Sequence, residues 1–280
     1  MVQPQPDNGV VSRQRQINAG IVALAGAQTA QLWPQVDWDH PAAASAVRTL
    51  YGAIVDHFGQ SAGAVAAQLY DELRGEQQLP QQYAATLADP LPEVMLNKIV
   101  TSAFLGGSEP DHAHEAVSDA TTSDLPVDER VPARLDGALQ RLVLQPGRET
   151  IAANAAKDPA QPRYVRVPTG AKTCAFCVML ASRELQKAKG GKANFSGYNP
   201  ANVKFDEETQ ALHAFAMDGT KYHNHCDCEA VPVFPGQSAA DVSPNIDDYQ
   251  DMYRKGAADA GTHRDTKKIL ASMRKLHGLK

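Results

Sequence analysis

The sequence predicts a predominantly helical α+β chain: an N-terminal helical bundle, then a small domain with short strands, then a C-terminal helix. Three observations predict it. Apolar residues recur at three-to-four spacing through much of the N-terminal half, the signature of helices with one buried face. Alternation replaces that spacing at Arg163-Tyr164-Val165-Arg166-Val167, which reads as a strand, and residues 230–234 read as a second strand ended by Pro235-Gly236. All four cysteines fall in two close pairs, Cys174 with Cys177 and Cys226 with Cys228.

Taken in order, residues 1–10 are rich in Pro and Gln and read as a disordered lead-in. Residues 11–107 form the helical domain. Ile17, Ile21, Leu24 and Leu32 lie near one face of a first helix, which stops before Pro34. A second starts around Pro41, a residue suited to a first turn, and carries Val47, Leu50, Ile54 and Phe58 at three-to-four spacing. Gly59 and Gly63 interrupt it, so Val65, Leu69 and Leu73 belong to a third segment ended by Gly75. A fourth spans about 92–105, with Met95, Ile99 and Phe104 inward and Gly106-Gly107 as its stop. These stripes are core seams of a bundle, not a cofactor box.

Residues 108–128 lose the periodicity. Asp111, His112, His114, Glu115 and Asp119 resemble metal ligands, but no apolar frame holds them, so this stretch reads as a linker and domain boundary. A domain of residues 129–236 follows. Helix resumes at Pro132 with Leu135, Leu139, Leu142 and Val143, breaks at Pro146-Gly147 and restarts through residues 150–156. The strand 163–167 is closed by a turn at Pro168-Thr169-Gly170, and a helix over 177–187 leads into a Gly-, Lys- and Asn-rich loop at 189–202. A short helix near 207–217 precedes the second cysteine pair and the strand 230–234. Residues 237–280 form a helical basic tail, with the helix over about 246–277 broken near Gly261.

Charge and hydropathy exclude some functions. The chain is 43% hydrophobic and 21% charged, with no apolar run of the ~20 residues that a membrane span needs. No basic and apolar leader opens it, so a reducing cytosol, that of the host cell, is the expected compartment of synthesis. A net charge of −5 argues against a protein that coats nucleic acid with its whole surface. The C-terminus is the exception: Arg264, Lys267, Lys268, Arg274, Lys275 and Lys280 face the single acid Asp265. Two readings stand there, a solvated basic face and a weak contact to DNA or an acidic partner surface.

The cysteines carry the chemistry. In Cys174-Ala-Phe-Cys177 a tight turn can point both sulfurs at one ion while backbone amides offset the thiolate charge. In His223-Asn-His225-Cys226-Asp-Cys228 the two cysteines face the same way if the segment is extended. Two pairs about fifty residues apart, with no other cysteine, point to one structural Zn²⁺ with tetrahedral ligands. Cys174 and Cys177 lead, Cys226 follows, Cys228 and His223 compete for the fourth place, and His225 comes last. Lys172, Arg183 and Lys221 are placed to soften the charge of a thiolate-rich site.

A catalytic zinc finds no support here. No His is followed two residues on by Glu, Pro-Cys-x-x-Cys is absent, and so is His-Glu-x-x-His. His223-Asn224-His225 spells a nuclease acronym, but nucleases of that name spread those residues over a ββα-metal unit. Ser182, Ser196 and His213 form no nucleophile–base arrangement that sequence vouches for.

The runs Val165-Arg-Val-Pro-Thr-Gly170, Thr173-Cys-Ala-Phe-Cys-Val-Met-Leu-Ala-Ser-Arg183, Tyr222-His-Asn-His-Cys-Asp-Cys228 and Val231-Pro-Val-Phe234 resemble the Mu F-like minor head proteins of tailed phages, in the form found in phages of actinobacteria. Leu139-Gln-Arg-Leu142-Val and Gly147-Arg148-Glu149-Thr150 are similar as well. The likeness is strong over about residues 130–236 and is one of pattern only before that. Its C-x-x-C and H-x-x-C-x-C signature falls on Cys174, Cys177, His223, Cys226 and Cys228; the long insert between the clusters and the extra His225 depart from the wider family. The resemblance implies a non-enzymatic minor capsid protein of the virion, bound at the portal inside the head. It would touch the portal protein, the major capsid or scaffolding protein, and packaged DNA weakly, in head assembly and in DNA retention or ejection. The alternative reading is an enzyme, a capsid maturation protease or a zinc-dependent nuclease.

Overall fold

The computed structural model describes residues 9–105, 122, 124–169, 173–182, 186–187, 193–194, 228–243, 245–262 and 265–279. In chain order these form α1 (Gly9–Leu32), a 3₁₀ turn (Trp33–Gln35), α2 (Ala43–Gly75), α3 (Glu93–Leu105) and α4 (Val127–Lys157). There follow β1 (Arg163–Val167), α5 (Ala175–Ala181), β2 (Gln186–Lys187), β3 (Ala193–Asn194), β4 (Glu229–Val233), a second 3₁₀ turn (Ala239–Asp241), α6 (Ile246–Asp259) and α7 (Thr266–His277). The protein is predominantly helical, as the apolar spacing implies. The strands 163–167 and 230–234 form one antiparallel pair, β1 on β4, with Val165 opposite Val231 and Val167 opposite Glu229.

Several boundaries differ from the sequence reading. Residues 1–8 lie outside the described residues, but helix starts inside the expected lead-in, at Gly9, and Val11 is already buried. In α1 the inward face is Val11, Gln14, Asn18, Ile21, Ala25, Thr29 and Leu32, so Ile17 and Leu24 point outward at 42% and 61% exposure. Counting apolar residues alone put them inward; the buried stripe is half polar and carries no strong apolar signal.

The expected breaks at Gly59–Gly63 and Pro146-Gly147 are not breaks: α2 and α4 run straight through them. Proline inside a helix forfeits one backbone hydrogen bond, at a cost of about 3 kcal/mol. Here Pro146 and Gly147 lie where α4 crosses α2 closely. A Cβ on Gly59 would meet Pro146 Cγ at 3.0 Å, and one on Gly147 would meet the Ala62 carbonyl oxygen at 2.9 Å. The glycines serve contact between helices, and the burial along that contact outweighs their poor helix propensity.

The expected boundary at 108–128 falls mostly outside the described residues, and the packing on either side of it is shared. Leu135, Leu139, Leu142 and Val143 of α4 bury with Val47, Tyr51, Val55 and Phe58 of α2, and Tyr51 donates its hydroxyl to the Leu135 carbonyl at 2.7 Å. A second core joins Leu69, Tyr70 and Leu73 of α2 to Ile151, Val165, Val231 and Phe234. The strand pair therefore rests on the N-terminal helices. A third core packs Val178 and Met179 of α5 against Tyr249, Ile269, Leu270 and Met273, so the C-terminal segment is a docked helical hairpin and not a loose tail. The break expected near Gly261 is present, at φ +64.

Beside the second core, at Tyr70, sits a buried ion pair. Arg74 Nε donates to Asp158 Oδ2 at 2.7 Å and its NH2 to Oδ1 at 3.2 Å, while Tyr70 OH donates at 3.0 Å and Ala160 N at 2.9 Å. This fixes the end of α4 just before the chain enters β1.

Candidate cysteine cluster

The helix carrying the first cysteine pair begins earlier than its apolar residues suggest, at Ala175, because Cys174 is its N-cap. The Cys174 sulfur accepts a hydrogen bond from the Cys177 amide at 3.2 Å. An amide donated to sulfur stabilises the thiolate form, the arrangement expected of a C-x-x-C turn prepared for an ion. The same register that pairs Val167 with Glu229 sets Cys228 beside the chain leaving β1. Cys174, Cys177 and Cys228 accordingly pack into one cluster, with Cys177 at 1% and Cys228 at 0% exposure and Cys174 half-buried.

His223, His225 and Cys226 lie outside the described residues, as do Lys172, Arg183 and Lys221. Among the described residues, no group of three or more His, Cys, Asp or Glu side chains is arranged to hold a metal ion. Sulfur is a donor that soft metals prefer, and with two sulfurs at the turn and a third just before β4, a tetrahedral site would need one more ligand.

Sequence reasoning did not find the cations at this cluster. Arg148, 5% exposed, donates from Nε to the Cys228 carbonyl at 3.0 Å and pins the strand entrance to α4. Tyr249 faces the same point. Its hydroxyl is pushed above its ordinary range, mainly by burial and in part by the Cys228 charge, with Arg15 working the other way. The signal for Arg148 was its place in the Gly147–Thr150 run that resembles the Mu F-like proteins. Glu229, next to Cys228, is 5% exposed and accepts from Asn18 Nδ2 at 3.0 Å.

Of the basic residues expected to meet DNA, Lys267, Lys268 and Lys275 are exposed and Arg274 is half-buried on α7; Arg264 lies outside the described residues. The Asp265 side chain caps α7 by accepting from Lys268 N at 3.1 Å. On the neighbouring α6, Asp251 is held below the ordinary carboxylate range by its hydrogen bond from Lys255, with the charges of Lys255, Arg254 and His277 adding. Ser182 is buried and bonds the Met179 carbonyl at 2.8 Å; Ser196 and His213 lie outside the described residues. Among the described residues, no helix is long and apolar enough to cross a membrane.

Comparison with known proteins adds kinship. The VG15 protein family matches residues 5–256. The Gene 15 protein of Mycobacterium phage L5 is 31% identical over 171 residues, covering 51% of this chain and 58% of the relative. The Gene 15 protein of Mycobacterium phage D29 is 34% identical over 121 residues, covering 38% of this chain and 43% of the relative. The chain thus spans about half the length of the curated relatives it matches. No solved structure matches it. With nearly the whole helical core and the cysteine cluster inside the matched span, the chain belongs to the VG15 protein family, a family with phage members.

Proposed function

We propose that this chain is a minor head protein of a tailed phage, of the Mu F-like kind, non-enzymatic and bound at the portal inside the head. It acts in procapsid assembly and in retaining or ejecting DNA, after synthesis in the host cytoplasm. Its cysteine cluster holds one structural Zn²⁺ through Cys174 and Cys177, with Cys226 and either Cys228 or His223 completing the set. The observation that carries this reading is the packing of Cys174, Cys177 and Cys228 into one buried cluster, on the segments that resemble Mu F-like proteins. That packing favours Cys228 for the fourth place. Membership in a family with mycobacteriophage relatives supports the phage setting. Binding of structural zinc contributes apparent free energies of ~10 kcal/mol or more, enough to hold a segment with few strands in place.

Two measurements test it. Elemental analysis of the native, reduced protein should give one zinc per chain, and a metal-free protein would refute the zinc. Mass spectrometry of purified virions, with cryo-electron microscopy of the portal vertex, should find the chain there in a few copies. Absence from the particle would refute the head assignment. Incubation with the capsid subunit, or with plasmid and divalent metal, should give no cleavage; site-specific cutting abolished by a point substitution would favour the protease or nuclease reading.

A further inference from the structure

The inward face of α1 buries two amides that its helical neighbours do not satisfy. Gln14 and Asn18 lie one turn apart, at 5% and 7% exposure. Asn18 spends its Nδ2 on Glu229 Oε1, which fixes the direction of its amide, and its Oδ1 then has no partner; neither has Gln14 Oε1. A buried carbonyl-type oxygen without a donor costs about 1–3 kcal/mol, so two on one helix face are a liability unless something donates to them. Both side chains line the same pocket, whose other walls include Arg148, Glu229, Gly147 and Ala62.

The pocket leaves about 10 Å³ for the centre of a water-sized molecule, the space that one water requires. Its lining is polar on the α1, α4 and β4 sides, so it differs from an apolar void that stays dry. That volume suits one water, and with the Arg148 guanidinium and the Glu229 carboxylate both in the wall the pocket calls for no charged occupant. We propose that this pocket is a buried-water site, with one water donating to Gln14 Oε1 and Asn18 Oδ1 beside the Asn18–Glu229 hydrogen bond that ties α1 to the strand entrance. A water has two hydrogens to give, matching two acceptors one turn apart. The site also accounts for the polar inner face of α1: its amides are the walls of a hydrated joint between α1, α4 and β4. The inference is independent of whether the cysteines hold zinc.

The test uses the full chain. In water-selective NOE and ROE spectra, the side-chain amide protons of Gln14 and Asn18 should show direct cross-peaks to a water resident for longer than about a nanosecond. Oxygen-17 relaxation dispersion should count one long-lived water fewer in the Gln14→Met/Asn18→Leu variant than in the wild type. Those two results support the site. Absence of the water cross-peaks in the wild type overturns it, whatever the variant does, and so does an unchanged count of long-lived waters in a folded variant. Should the variant not fold, the wild-type spectra alone decide.

Discussion

Replacing Asp158 by Ala should destabilise the protein by about 3–5 kcal/mol, the usual cost of removing one partner of a buried ion pair. The structure supplies the reason. Side-chain exposure is 9% for Arg74 and 0% for Asp158, so the guanidinium left behind keeps its charge with little water to solvate it. Asp158 accepts four hydrogen bonds, two from Arg74 and one each from Tyr70 and Ala160, and all are lost together. Asp158→Asn preserves the shape and one acceptor, so it should cost less. The pH dependence provides a second reading. Burial by itself would raise the Asp158 pKa, but the Arg74 hydrogen bond, with those from Ala160 and Tyr70 and the Arg74 charge, outweighs it and holds the pKa below the ordinary value. A carboxylate with a depressed folded pKa stabilises the fold above its unfolded pKa of about 3.9, and that stability disappears as pH falls through the folded value. Urea titrations from pH 7 down to 3 should therefore show the gap between wild type and Asp158→Ala narrowing below about pH 4. A gap under 1 kcal/mol at pH 7, or one that does not narrow, would refute the reasoning.

Other consequences can be checked alongside. Glu149 has its pKa pushed up to about 7, by burial first and by the charge of Asp89, against the Gln145 hydrogen bond and Arg148. The folded state thus binds more protons between about pH 4 and 7, stability should fall as pH rises across that window, and Glu149→Gln should flatten the slope in thermal melts. A Cβ on Gly256 would run into Met273 Cγ, so Gly256→Ala should cost about 1–3 kcal/mol by overpacking the hairpin, read by chemical denaturation. Cys177→Ser should lose bound metal and lower the melting temperature; equal metal content would show that Cys177 is not a ligand. Neutralising Lys267, Lys268, Arg274 and Lys275 together should weaken DNA binding most at low salt, and a filter-binding series with no change would leave that face merely solvated.

How far the sequence spoke depended on what each segment's signal measured. The strand pair was legible because the alternation in 163–167, and the short apolar run 230–234 stopped by Pro235-Gly236, suit strands. The hairpin break was legible from Gly261 itself, a residue that takes the positive φ found there without strain. The long helices were misread where Gly and Pro were taken as local punctuation; Gly59, Pro146 and Gly147 answer instead to another helix, which no single-segment pattern contains. The same holds for α1, whose buried residues Gln14, Asn18 and Thr29 look exposed by type. The sequence grouped the cysteines, and Cys174, Cys177 and Cys228 pack together. The buried Arg148 was not, because its partner, the Cys228 carbonyl, is a backbone atom eighty residues away.

The length of α4 has a further bearing on how this chain tolerates injury. Because that helix contributes to both the α2 core and the core under the strand pair, the covalent connection between Leu105 and Val127 is not what keeps the halves together. A protease nick there would sever the polypeptide while the pieces stayed clasped, and fragments made separately should find each other. By the same token, the cysteine-bearing half expressed alone would bring with it an orphaned apolar flank of α4, and insolubility is its natural fate.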